Sequence, residues 1–226
     1  MTLFPMPRFN RVSPTGEILA LASRGRAMGN RGPLLDAEGK IARRWAYKRW
    51  ICCTLREVNG RKVRFDDPEV YTPLFFTDEA VALAAGHRPC GSCRPDAYYR
   101  WLVIWKALAG VSKFERVRAS TMDRELHRRR AAQRTRPPIR LRLDEVPNGA
   151  FVKLTAAHSG PLLLYEGRLW PWIDGDYGAP TIVNRSLVDL EAFVFPNVEF
   201  LISGFRFDDE LAPTPADRTE EVDRGR

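Results

Sequence analysis

Along the first 45 residues apolar positions are scattered among Gly, Arg and Pro. Only Asn10–Leu21 and Met28–Asp36 are dense enough for short strands or loops, with turns at Pro14-Thr15-Gly16 and Arg31-Gly32-Pro33. Next come two strand-like runs, Trp50–Glu57 and Lys62–Phe65, around an Asn59-Gly60 turn signal, and a third at Tyr71–Phe76. The period then changes. Asp78–Ala85 reads as a short helix, with Thr77 as its N-cap and Gly86 as its stop. Pro95–Leu108 reads as a longer helix, because Leu102, Trp105 and Leu108 recur at helical spacing and Gly110 ends the run. A third, from about Thr121 to Arg134, is stopped by Arg136-Pro137-Pro138.

Beyond Pro138 the runs are short and separated by turn residues: Ile139–Leu143, Phe151–Thr155, Pro161–Tyr165, Arg168–Trp172, Thr181–Asn184 and Glu199–Ile202. Such spacing predicts an antiparallel β-rich part, a small barrel or sandwich. The fold class expected is therefore α+β. An N-terminal extension covers 1–45 and a cysteine-bearing module with basic helices covers 46–136. The β-rich part covers 137–207, and a charged tail, 208–226, is expected to be disordered.

Charge narrows the partner. Residues 1–150 carry 29 Lys/Arg against 15 Asp/Glu, a balance of +14, while the remainder stands at −6. Clustered cations release counterions from phosphates, so the basic part points to nucleic acid, and the excess of Arg suits bidentate phosphate pairing. No apolar run approaches the ~20 residues a membrane helix needs. Met1–Pro7 shows no leader pattern, so the expected compartment is the cytoplasm.

The chain has four cysteines: Cys52, Cys53, Cys90 and Cys93. Cys90 and Cys93 have the spacing that lets two thiolates chelate one tetrahedral Zn2+, with Gly91 easing the turn between them. A redox pair would sit after a strand and at the start of a helix; here a helix precedes it. Adjacent strand residues point to opposite faces, so one of Cys52 and Cys53 is expected at the metal unless a bulge brings in both. His87 is the alternative fourth ligand, with a phosphate or carbonyl contact as its other reading.

The segment containing Leu74-Phe75-Phe76-Thr77-Asp78, an Ala-rich helix and His87-Arg88-Pro89-Cys90-Gly91-Ser92-Cys93-Arg94-Pro95-Asp96 resembles the second half of the zinc-binding N-terminal domain of the Ada DNA repair proteins. The likeness covers residues 74–96 of 226. It implies structural zinc on Cys90 and Cys93, contact with the DNA backbone, DNA rather than RNA as partner, and a place in DNA repair or damage handling. In that family one cysteine of the first pair also accepts a methyl group. Here the upstream cysteines are adjacent instead of spaced, so the acceptor's position does not carry over, and a zinc-thiolate methyl acceptor on Cys52 or Cys53 stays an alternative function.

Other groups invite an enzymatic alternative, a nucleic-acid-processing hydrolase. Asp123 and His127 lie four apart on one helix face, as an acid/base pair would or as a surface salt bridge would. Asp174 and Asp176, in an aromatic loop from Trp170 to Gly178, could read or activate a base, or could simply form a turn. The candidate nucleic-acid contacts are Lys48, Arg49, Arg61, Arg88, Arg94, Arg128, Arg129, Arg130 and Arg134. Trp45 and Tyr47 are the expected surface aromatics and Trp50 a core residue. His158 reads as a turn residue.

Overall fold

Strands of the C-terminal half carry consecutive apolar residues that point alternately to two buried faces. The computed structural model describes residues 9–58, 60, 70–133, 139–154, 160–184 and 191–215. Strands β7 (Arg140–Arg142), β8 (Phe151–Leu154), β9 (Leu162–Tyr165), β10 (Arg168–Ile173), β11 (Asp176–Tyr177), β12 (Thr181–Ile182) and β13 (Glu191–Val194) form one antiparallel sheet, ordered β11-β10-β9-β8-β13-β7 with β12 also on β10. Val152, Leu154, Leu162, Leu164 and Leu169 face one core; Phe151, Leu163, Trp170 and Trp172 face another. A sheet covered on both faces needs no polar face, which explains its nearly continuous apolar runs.

The first of these cores is closed by helices α2 (Pro95–Leu108), α3 (Ala119–Gln133) and α4 (Val198–Ile202), through Trp101, Trp105, Met122, Leu126 and Phe200. The second is closed by a mixed six-stranded sheet of β1 (Phe9–Val12), β2 (Ile18–Ala20), β3 (Ala27–Asn30), β4 (Ile51–Thr54), β5 (Leu74–Phe76) and β6 (Arg88–Pro89), ordered β2-β1-β5-β3-β4-β6. Helix α1 (Glu79–Ala84) lies between the two, giving Leu83 to one core and Ala80, Val81, Ala82 and Ala84 to the other. The result is α+β, with each core fed by distant parts of the chain.

Several expectations change. Residues 9–30 are no extension: β1–β3 are built into the sheet that carries the cysteines. β4 pairs with β3 and β6, and the second half of the expected 48–65 hairpin lies outside the described residues. Glu199–Ile202 is helical, because Asn197 takes a left-handed conformation and aims Phe200 onto Trp101, where the rings stack 3.6 Å apart. β13 was not expected at all. The start of the tail is docked: Leu211 is buried, its carbonyl accepts from Glu79 N, and Arg26 donates to Glu210 O and Ala212 O. Residues 216–226 and His158 lie outside the described residues.

Asp78, not Thr77, caps α1, accepting from Val81 N at 3.0 Å, while the Tyr177 hydroxyl donates to its other oxygen at 2.6 Å. Burial pushes this carboxyl up to about 6, against the pull of those two donors and of Arg26. The folded protein therefore holds a proton on Asp78 that the unfolded chain releases near pH 4. The associated stabilisation is full below about pH 4 and gone above about pH 6, a swing of about 3 kcal/mol. Asp78→Asn keeps a cap acceptor. In urea titrations from pH 4 to 7 the variant should gain on the wild type by that swing; a pH-independent difference would refute the assignment.

Candidate metal centre and the basic cleft beside it

β4 and β6 run parallel, with Ile51 beside Arg88 and Cys52 beside Pro89, and Cys90 N donates to Cys52 O at 2.9 Å. This pairing brings the upstream and downstream cysteines together. The Sγ atoms of Cys53, Cys90 and Cys93 lie within 4.8 Å of one another, the last two on the turn that leads through Arg94 into Pro95, the first residue of α2. Met28, Ile51, Tyr71 and Phe75 pack around them.

The geometry fits a metal. A tetrahedral ion with metal–sulfur bonds of about 2.3 Å sets its sulfurs about 3.8 Å apart, a small adjustment from this spacing. Backbone N–H groups of Ser92 and Cys93 point at Cys90 Sγ, and that of Thr54 at Cys93 Sγ, as donors that favour thiolates. Thiol donation to Cys90 and Cys93, and then burial, hold Cys53 up. Cys90 is pulled down by the thiols of Cys53 and Cys93; Cys93, although Cys53 donates to it, is raised by its own donation to Cys90 and by burial. Three thiolates this close repel one another; a cation lets all three ionise. Gly91 has no positive φ, so the turn does not demand glycine there.

Strand alternation leaves Cys52 on the other face. Its sulfur is buried in the second core and accepts from Arg94 Nη1 at 3.6 Å, and burial drives its thiol well up. It is outside the thiol cluster, and so is His87. The His87 Nε2 accepts from Arg31 Nε at 3.2 Å, its ring packs on Phe76 and Trp50, and burial together with Arg31 and Arg130 keeps it neutral. Cys52 and Cys53 are both buried.

Two arginines beside the cysteines are structural, not surface contacts. Arg88 pairs bidentately with Asp123 at 2.8 Å and 2.8 Å, both side chains buried. Arg94 ties Glu79 and Asp208 together, donating at 2.6 Å to each. Asp123 is thus committed to Arg88 instead of orienting His127. Asp174 is on the exposed turn between β10 and β11, and Asp176 follows on β11; Trp170, Trp172 and Tyr177 are core. Among the described residues, the cleft that His127 lines includes neither Asp174 nor Asp176.

His127 instead lines a cleft of about 930 Å³ with Gly16, Arg31, Arg44, Trp45, Trp50, Arg130 and Lys153, and with Ile139 and 193–196. Its lining, among the described residues, holds no carboxylate. The Arg31 and Arg130 guanidiniums lie 4.1 Å and 4.5 Å from the Trp50 ring, so Trp50 is a cleft residue, not core. Gly86, with φ +89°, makes room for Arg130, which donates to Gly86 O and Lys48 O; a Cβ there would meet Arg130 Cδ at 2.6 Å. Trp50 is three residues before Cys53, about 10 Å along an extended chain, so the thiol cluster pins the strand that forms the cleft wall.

Above the cleft, Arg43, Arg44, Trp45, Tyr47, Lys48 and Arg49 are all exposed. Arg128 and Arg129 are drawn to Glu125, Arg129 also toward Glu199. Arg61 and Arg134 lie outside the described residues. Sequence reasoning missed Arg31 and Lys153; the turn Arg31-Gly32-Pro33 was visible, but not what its arginine faces. No helix of the described residues is long and apolar enough to cross a membrane. Comparison with protein-family models, curated proteins and solved structures finds no match for this chain.

Proposed function

We propose that this is a zinc-stabilised DNA-binding protein. The observation that carries the reading is the exposed segment 43–49, where four cations interleave with two aromatics on a strand entry pinned by the thiol cluster. Cations there track phosphates, while Trp45 and Tyr47 stack on bases. Zinc is the ion a set of buried thiolates takes most readily in a structural site. Cys53, Cys90 and Cys93 would hold it and it would supply a cross-link between β4 and the turn before α2. The resemblance of residues 74–96 to the Ada zinc domain supports DNA over RNA and a role in repair or damage handling.

Fluorescence anisotropy on labelled single-stranded and duplex DNA, and on RNA of the same sequence, tests this over a range of salt. Affinity should fall steeply with salt. Lys48→Gln and Arg49→Gln should each lower the slope of log K against log salt by about 1. A salt-independent affinity, or tighter binding to RNA, would reject the reading.

A further inference from the structure

Arg31 is 1 % exposed and its Nη2 has no hydrogen-bond partner among the described residues; the Arg130 Nε and His127 Nδ1 are likewise buried and unpaired. Arg31 is held by neutral acceptors alone, Gly16 O at 3.0 Å and His87 Nε2 at 3.2 Å. A buried guanidinium without a carboxylate is costly unless an anion completes it. The neighbouring cations make this sharper. Burial, then Arg130 and Arg44, lower Arg31 to about 9, and burial lowers Arg130 to about 9 as well. The remaining walls are not those of a simple phosphate site. Trp45 meets the His127 ring at 4.3 Å edge-on, Trp50 lies next to it, and Ala84, Ala85, Ile139 and Phe193 supply apolar surface. The volume is in the range of roughly 300–1,000 Å³ that takes a whole small organic ligand.

We infer that this cleft takes one 5′-nucleotide unit, its phosphate held by the cations that line it, Arg31, Arg44, Arg130 and Lys153, and its base against Trp45, Trp50 and His127. An anion alone leaves the aromatic wall unused, and an uncharged ring leaves the guanidiniums unpaired; a nucleotide satisfies both. The inference rests on the DNA-binding reading for the source of the unit, an unstacked nucleotide of a strand lying on segment 43–49, whereas a free nucleotide has the same chemistry.

Isothermal titration of the full-length, metal-loaded protein separates these. The probes are thymidine 5′-monophosphate, thymidine, inorganic phosphate and a twelve-residue oligothymidylate. The monophosphate should bind about tenfold or more tighter than either thymidine or phosphate. Arg130→Gln should weaken it about tenfold or more. Trp45→Ala, at a half-exposed position that cannot compromise the core, should weaken it about fivefold or more. The inference is overturned if the monophosphate does not bind at millimolar concentration, or if neither variant changes its affinity. Tight, salt-dependent oligonucleotide binding that Arg130→Gln leaves unchanged, with no binding of the monophosphate, would reject the cleft while sparing the surface reading. A monophosphate that binds as tightly as the oligonucleotide would keep the cleft and reject the DNA reading.

Discussion

Replacing Cys90 by serine should remove the bound metal and lower the melting temperature by about 10 °C or more. Cys90 sits at the centre of the thiol cluster, since the sulfurs of Cys53 and Cys93 both donate to it and the N–H groups of Ser92 and Cys93 face it. Its backbone also closes the β4–β6 pair through Cys52 O. A structural zinc ion binds the folded chain only, so its binding energy is folding energy. Even a fraction of that energy, on the order of 5 kcal/mol, moves a domain of this size by about 10–20 °C. Cys52→Ser supplies the contrast. Cys52 lies outside the cluster, so this variant should keep one metal per chain and lose only the modest energy of a buried sulfur contact, about 1–3 kcal/mol. Metal content by mass spectrometry under native conditions, beside thermal melts with and without a chelator, reads both. A Cys90→Ser protein with full metal and wild-type melting would remove the metal centre from the account, as would a chelator without effect on the wild type.

The contrast between Cys52 and Cys53 shows where the sequence runs out. Alternation requires that one of the two face away from the cluster, but it does not say which. The choice is made by register: Cys52 is opposite Gly29, whose missing side chain admits the Phe76 ring, where a Cβ would stand 2.3 Å from it. That contact puts Cys52 into the second core and turns Cys53 toward Cys90. Helix α2, by comparison, was readable to the residue, because Pro95 at its first position and Gly110 beyond its end act locally. β13 was not, because it is only four residues long and its place between β8 and β7 is set by partners distant in the chain. The cleft was equally hidden. Arg31, Trp50, His127 and Arg130 meet through tertiary packing and share no spacing, although the aromatic and basic character of 43–50 and of 127–130 was plain.

Arg88 and Arg94 teach the same lesson with charge. Beside a cysteine pair in a basic region, both read as phosphate contacts. Their partners come from 35 and 114 residues away, and the sequence does not announce them. Of the two, the Arg88–Asp123 pair gives the more decisive experiment, since Asp123 also belonged to the expected catalytic pair.

Asp123→Asn should destabilise the protein by about 3–5 kcal/mol, because it leaves the Arg88 guanidinium buried without its counter-charge. Arg88 is buried on β6, over the Tyr98 ring at 5.1 Å, and cannot swing to solvent without opening the sheet. The double variant Arg88→Met, Asp123→Leu removes both charges and retains similar volume. It should recover most of the loss, since a buried ion pair is seldom more stable than well-packed apolar groups. Chemical denaturation of the three proteins gives the coupling directly. A catalytic Asp123 predicts the reverse pattern: little change in stability for Asp123→Asn, and no rescue by the double variant. The structure assigns this carboxylate to holding α3 against β6, and α3 presents His127 and Arg130 to the cleft. The pair is therefore the link between the strands that carry the thiol cluster and the basic wall, and its removal should also weaken oligonucleotide binding, with recovery in the double variant alongside stability.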